Sequence, residues 1–251
     1  MVTTQKIAGD EGERQRRHAE SVRTMFARIA RRYDLLNHLL SANVDRRWRK
    51  LVAARVAEHA GGARARVLDV ACGTGDLSLT ISAQVGRAEV TGLDFCRPML
   101  DVARRKAGER GRAIPFVEGD ALALPFDEGA FDAVTIAFGL RNLASVERGL
   151  GELFRVTRPG GLVCVLEFSQ PVVPVLRELF GFYFTQVLPR VGGMVSGSRG
   201  AYEYLPDSVS RFPDQARLAE LMRAAGFERV AYRNLTGGIA ALHTGTRPRA
   251  A

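Results

Sequence analysis

Two hydrophobic periods alternate along this chain. Val67, Leu68 and Val70 form a short apolar run that ends in a Gly-rich turn, Cys72-Gly-Thr-Gly75, and helical spacing follows from Asp76 to Val85. The exchange then repeats as strand 89–93, helix 97–108, strand 114–118, strand 132–137, helix 145–156 and strand 161–168. Short apolar runs bounded by turn residues read as strands, and apolar positions three and four apart read as helices. Such alternation predicts a parallel sheet with helices on both faces. A helix over 214–225 and a hairpin from Phe227 to Thr244 complete it. The expected fold is therefore α/β: doubly wound, mainly parallel and seven-stranded, with a C-terminal β-hairpin.

Two further segments frame that core. From Ser21 onwards, Val22, Met25, Phe26, Ile29, Tyr33, Leu36 and Leu40 fall on one face of an amphipathic helix. A second helix is expected from Asp45 to His59, with Trp48, Leu51, Val52 and Val56 on one side. Asp45 suits its N-cap, and Gly61-Gly62 suits its end. Residues 1–20 read as a disordered basic tail, with Arg14, Arg16 and Arg17 and no periodicity. The remainder, 21–251, reads as a single domain whose helical prelude, 21–62, could serve as a lid. Residues 170–205 form an insertion rich in apolar and aromatic residues, among them Leu176, Phe180, Phe182, Tyr183 and Phe184. It could roof a pocket for an apolar ligand, touch a bilayer as an amphipathic helix, or make a dimer face.

Charge narrows the choice of partner. The 251 residues carry 36 Lys and Arg against 27 Asp and Glu, a net charge of +9. Nearly all the basic residues are Arg, since Lys occurs only at 6, 50 and 106. They are scattered and not interleaved with aromatics as in a base-stacking platform, so no nucleic-acid partner is expected. Scattered arginines read first as a solvated basic surface, with attraction to an anionic membrane surface as the alternative. Three cysteines without a CxxC pair suggest neither a disulfide framework nor a metal site. The N-terminus lacks the apolar core of a signal peptide, and no uncharged apolar run reaches the ~18 residues of a membrane span. The expectation is a cytoplasmic protein that can visit the inner face of a membrane.

The chemistry starts at the Gly-rich turn. Asp69 ends the first strand, Gly73 and Gly75 shape the turn, and the helix opening at Asp76 offers unpaired N–H groups. Asp94, at the tip of the second strand, is placed to hold the two hydroxyls of a ribose. A dinucleotide site wants G-x-G-x-x-G, but Ser78 stands where the third glycine would be. The Asp69, Gly73, Gly75 spacing instead resembles the first motif of the S-adenosylmethionine methyltransferases, with Ala71 where many of them carry another glycine. Asp120 could accept from an adenine amine while the Ala121 N–H meets a ring nitrogen; it could also merely cap a turn. The candidate cofactor-binding residues are Gly73, Thr74, Asp94, Phe95, Asp120 and Ala121.

The fourth strand ends in Ala137-Phe-Gly-Leu-Arg-Asn142, beside the expected methyl group. No Asn/Asp-Pro-Pro-Tyr/Phe motif of an amino-methylating nucleic-acid enzyme stands there, and no cysteine follows a proline as a cytosine-C5 enzyme would need. Further stretches carry a more specific likeness. Tyr33-Asp-Leu-Leu-Asn37 with Ser41 and Trp48, Gly139-Leu-Arg-Asn142, Arg155-Val-Thr-Arg-Pro-Gly-Gly-Leu-Val-Cys-Val-Leu-Glu167-Phe-Ser169 and Asn234-Leu-Thr-Gly-Gly-Ile-Ala-Ala-Leu-His243 resemble the ubiquinone/menaquinone biosynthesis C-methyltransferases, the UbiE/MenG family. Leu36, Asp45 and Ala137 depart from its usual Met, His and Ser. The resemblance implies a Rossmann-like methyltransferase sheet, S-adenosylmethionine as cofactor, and a ring carbon of a polyprenylated quinol as methyl acceptor. It names Arg141 as the residue that stabilises the quinol oxyanion, with His243 and Tyr33 as weaker candidates. The naphthoquinol of menaquinone biosynthesis is favoured over the benzoquinol of ubiquinone biosynthesis. Another phenolic substrate, or a non-enzymatic S-adenosylmethionine-binding module, stays open.

Overall fold

A computed structural model describes residues 13, 17, 19–30, 33–34, 41, 43–182 and 199–249. Its seven strands are β1 (Ala65–Val70), β2 (Ala88–Asp94), β3 (Phe116–Glu118), β4 (Phe131–Ala137), β5 (Thr157–Phe168), β6 (Glu228–Leu235) and β7 (Ala240–Thr246). They run in the order β3-β2-β1-β4-β5-β7-β6. The pairs among β1 to β5 are parallel, whereas β7 lies antiparallel to both β5 and β6. The chain leaves β1 towards β2 on one side and reaches β4 on the other. That reversal opens a crevice at the carboxyl ends of β1 and β4.

Side-chain alternation divides each strand between two cores. Leu68, Val70, Val134, Ile136, Val163 and Val165 face α5 (Val146–Val156) and α8 (Gln215–Ala224), meeting Leu150, Leu153, Leu218 and Met222. Val67, Ala133, Cys164 and Leu166 face α2 (Val44–Ala60) and α3 (Asp76–Gln84), meeting Trp48, Val52, Leu77 and Ile81. Both faces being covered, the inner strands need apolar residues at nearly every position. Leu150 has no solvent exposure. Leu150→Ala is expected to cost about 2–5 kcal/mol, read as a lower urea midpoint with an unchanged slope.

The helical prelude docks beside the crevice. Residues 19–29 form helix α1, and Ala30 stands in a turn. Phe26, Ala27, Ala30 and Tyr33 pack on Phe95, Cys96 and Met99 at the start of α4 (Arg97–Glu109). The helix expected to run on through Leu40 therefore breaks after Ile29; Leu36 and Leu40 lie outside the described residues. Asp45 is not an N-cap: α2 begins one residue earlier, behind Asn43 in the left-handed region (φ 62). Asp45 instead receives Ser41 Oγ at 2.7 Å and pairs with Arg49 within the helix. After β5 come α6 (Pro174–Phe182) and α7 (Arg199–Arg211). The rest of the expected insertion, 183–198, lies outside the described residues. Among those described, no helix is long and apolar enough to cross a membrane.

Candidate active site

A cavity of about 760 Å³ opens at the carboxyl edge of β1 to β4. Gly73, Thr74, Asp94, Phe95, Asp120 and Ala121, the six residues expected around a cofactor, all line it. They share the wall with Phe26 and Tyr33 of the prelude and with Phe138, Gly139 and Asn142 beyond β4. A volume in the ~300–1,000 Å³ range suits a small-molecule site.

The turn after β1 is shaped by backbone that side chains resist. Ala71, Gly73 and Gly75 have φ values of 50, 55 and 80. A Cβ on Gly75 would stand 3.0 Å from Ala103 Cβ, whereas one on Gly73 would meet nothing. Gly75 is thus fixed by packing, and Gly73 leaves bare backbone towards open space. The Gly73 N–H donates to Asp94 Oδ2 at 2.8 Å, and the Cys96 N–H donates to Oδ1 at 2.8 Å. Both carboxylate oxygens are therefore held, and each keeps a lone pair for another donor. Burial pushes the Asp94 carboxyl up to about 6, against the pull of these N–H groups.

Asp69 is held differently. Ser78 Oγ donates to it at 2.5 Å and Thr135 Oγ1 at 3.0 Å, and burial pushes it up to about 6. The serine at the third glycine position thus supports the strand-end carboxylate. Asp120 Oδ1 accepts from the Leu122 N–H at 2.8 Å. It caps its turn and also lines the cavity.

A group of charges missed in the sequence closes the β1 end. Thr74 Oγ1 donates to Asp34, and Lys106 Nζ reaches Asp34 Oδ2 at 2.5 Å and also Asp76. Arg49 pairs with Asp45 and stands 3.6 Å from Asp76. Prelude, α2, Gly-rich turn and α4 are joined here. The scarcity of lysine, three in the chain, was the available signal, and among the described residues Lys106 is the lysine placed within this group.

Arg141 stands elsewhere. It sits in the 3-10 turn Leu140–Asn142 and does not line the cavity among the described residues. Its Nη1 donates to Glu167 Oε1 and to Phe138 O, each at 2.6 Å. The guanidinium carbon lies 5.3 Å from the Phe168 ring centre, and Nε is buried without a partner. The side chain is 6% exposed and that of Glu167 1%. Burial raises the Glu167 pKa, with Arg141 opposing. Phe138 is left-handed (φ 57), and its carbonyl also accepts from Asn142 Nδ2 at 3.3 Å. Asn142 Oδ1 accepts from Tyr204 Oη at 3.1 Å. Through that bond the insertion touches a residue of the cavity wall, although no described residue of 170–205 lines the cavity itself. His243 lies in β7 with Nε2 2.8 Å from Gln215 O, away from the cavity wall.

Residues 13–247 match the model of the ubiE/COQ5 methyltransferase family. The chain belongs to that family. Among the relatives of this methyltransferase is the demethylmenaquinone methyltransferase of Thermus thermophilus, 53% identical over 89% of this chain and all of that one. The protein of the same name from Deinococcus radiodurans is 50% identical over 91% of this chain and 93% of its own. A SAM-dependent methyltransferase structure from Thermotoga maritima matches with a TM-score of 0.60 at 19% identity, over 89% of this chain and 99% of that one, which speaks for the fold alone. The methyl donor is S-adenosylmethionine. The wall fits it: open backbone at Gly73, and an Asp94 carboxylate pinned by N–H groups with lone pairs to spare.

Proposed function

We propose that this methyltransferase methylates the ring carbon of demethylmenaquinol to give menaquinol. The observation that carries the reading is the 53% identity, over the whole of that protein, to the demethylmenaquinone methyltransferase of Thermus thermophilus. Methylation of the ubiquinone-pathway benzoquinol is the second reading, since a relative 43% identical to this chain carries the name ubiquinone/menaquinone biosynthesis C-methyltransferase. S-adenosylmethionine, when bound, supplies a methyl group already activated on sulfur. The chain's own work is then to hold two partners in line and to make the quinol carbon more nucleophilic.

In this reading Asp94 holds the ribose hydroxyls, Asp120 and the Ala121 N–H meet the adenine edge, and Gly73, Thr74 and Phe95 complete the bed. Arg141 lowers the pKa of the bound quinol hydroxyl through its fixed charge. Two features support that role: Phe138, whose carbonyl accepts from Arg141 Nη1, and the adjacent Asn142 both stand on the cavity wall. A polyprenyl tail requires contact with lipid. We assign that contact to the start of the insertion, where Val172 and Val173 are 51% and 42% exposed ahead of α6; pairing of two copies through this face is the alternative.

The test is transfer of label from S-adenosylmethionine to reduced short-chain demethylmenaquinone, followed by lipid extraction. Label that migrates as menaquinone is the expected result. Transfer to the benzoquinol alone would move the assignment to the second reading. Cofactor binding without transfer to either acceptor would overturn both.

A further inference from the structure

One cation on the cavity wall has no part in the reading above. Arg49 lies in the second turn of α2, is 7% exposed, and lines the cavity together with Asp69, Thr74 and Asp76. Its ion pairs with Asp45 and Asp76 both run through Nη1. Nε and Nη2 have no protein partner among the described residues, and neither is a sealed, unpaired atom. They therefore reach open space, and the space this side chain borders is the cavity. The other arginines on the wall differ. Arg23 is 53% exposed and paired with Glu118, and Arg148 is exposed. Among the described residues, Arg49 is the buried cation of this wall.

Its place matches one end of the cofactor. With the ribose at Asp94, beyond β2, and the adenine at Asp120, beyond β3, the methionyl end must lie back over β1. That end carries an ammonium and a carboxylate. Two carboxylates of the protein, Asp69 and Asp76, border the cavity there. They suit the ammonium and repel the carboxylate, so a cation must intervene for both charges to be accommodated. Lys106 cannot serve, because it is already spanned by Asp34 and Asp76. Arg49 keeps free N–H groups in a planar fork that matches a carboxylate. Asp45, one helical turn away and itself held by Ser41, fixes the direction of the side chain.

We propose that Arg49 binds the α-carboxylate of the cofactor's methionyl end and thereby sets where the sulfonium sits relative to the acceptor. The assignment rests on the cofactor reading and on no particular acceptor.

Calorimetry with S-adenosylhomocysteine and with its decarboxylated analogue tests it without turnover. Arg49→Gln, made together with Asp45→Asn so that no unpaired carboxylate is buried, is compared with Asp45→Asn alone. The affinity for S-adenosylhomocysteine should fall by about 10–100-fold, the loss of a charge-assisted hydrogen-bond pair. The affinity for the decarboxylated analogue should stay within about 2-fold, as a ligand lacking the carboxylate has nothing to lose. Arg49→Lys, which keeps the charge and serves if the glutamine variant does not fold, should lose less than glutamine and again only towards the carboxylate-bearing ligand. Equal losses for both ligands would show a structural role and overturn the proposal, as would an unchanged affinity for S-adenosylhomocysteine. Wild-type protein that binds neither ligand would overturn the cofactor reading itself, a distinguishable failure.

Discussion

Asp94→Ala should lower the affinity for S-adenosylhomocysteine by about 10²–10⁴-fold, since two hydrogen bonds to a charged acceptor contribute roughly 1.5–3 kcal/mol each. The carboxylate also fastens the Gly-rich turn to the tip of β2 through the Gly73 and Cys96 N–H groups. Its removal frees that backbone as well. Asp94→Asn should fare little better, because an amide that accepts from Gly73 presents an NH2 donor to Cys96 N–H. Titration calorimetry of each variant, beside a thermal melt to confirm folding, measures the effect. Affinities within about 3-fold of wild type would remove the ribose role from this residue.

The same carboxylate sets a pH signature. Burial pushes it up to about 6, above the ordinary carboxylate value of 3.8. Ribose hydroxyls donate best to the ionised form, so cofactor affinity should be flat above that pH and weaken towards tenfold per unit well below it. Stability of the ligand-free protein runs the other way. A raised acid pKa means that the folded state binds the proton more tightly than the unfolded chain. The Asp94 contribution is therefore full below the unfolded value and is lost as pH rises through about 6. The span is of order ~3 kcal/mol. Asp69, also near 6, titrates in the same window, so the Asp94 share is the difference in pH slope between wild type and Asp94→Asn.

What could be read from the chain was whatever local chemistry dictates. Apolar runs and turn residues placed the strands, and the strand ends carried Asp69, Asp94 and Asp120 to one edge because parallel strands share a direction. β5 shows where local rules fail. Pro159-Gly160-Gly161 reads as a turn before the strand, yet the ladder begins at Thr157 opposite Phe131 and shifts register before Leu162 meets Ala133. The bulge absorbs the glycines, and only pairing with β4 reveals it. The charge group at the β1 end was hidden for a similar reason: Lys106 lies 72 residues from Asp34 and 30 from Asp76. Asp45 looked like a cap because its side chain suits one. Arg49, four residues on, claims the carboxylate, and Asn43 turns the chain ahead of it. The Tyr204 bond to Asn142 spans 62 residues. The Lys106 and Tyr204 contacts exist only after the sheet has brought remote segments together, whereas the Asp45–Arg49 pair lies within one helix.

Arg141→Ala should reduce turnover by about 10²–10⁴-fold, the range of help in moving a proton from a reacting group, and leave S-adenosylhomocysteine affinity within about 3-fold. A second effect accompanies it. Glu167, 1% exposed against 6% for Arg141, would be left buried without its cation, at a cost of about 3–5 kcal/mol. Activity lost through unfolding must therefore be separated from activity lost in chemistry. Arg141→Gln combined with Glu167→Gln removes both charges at once and should recover much of the stability. If turnover stays low in that double variant, the guanidinium acts on the quinol; if turnover returns with the melting temperature, its role is to hold the β4 turn. The pH profile gives an independent reading. A phenolic hydroxyl ionises near ~10 without help. An enzyme that lowers this value plateaus early, whereas one without the cation should keep gaining rate, about tenfold per pH unit, until the quinol ionises unaided. A variant that shares the wild-type plateau would show that Arg141 does nothing to the acidity of the quinol.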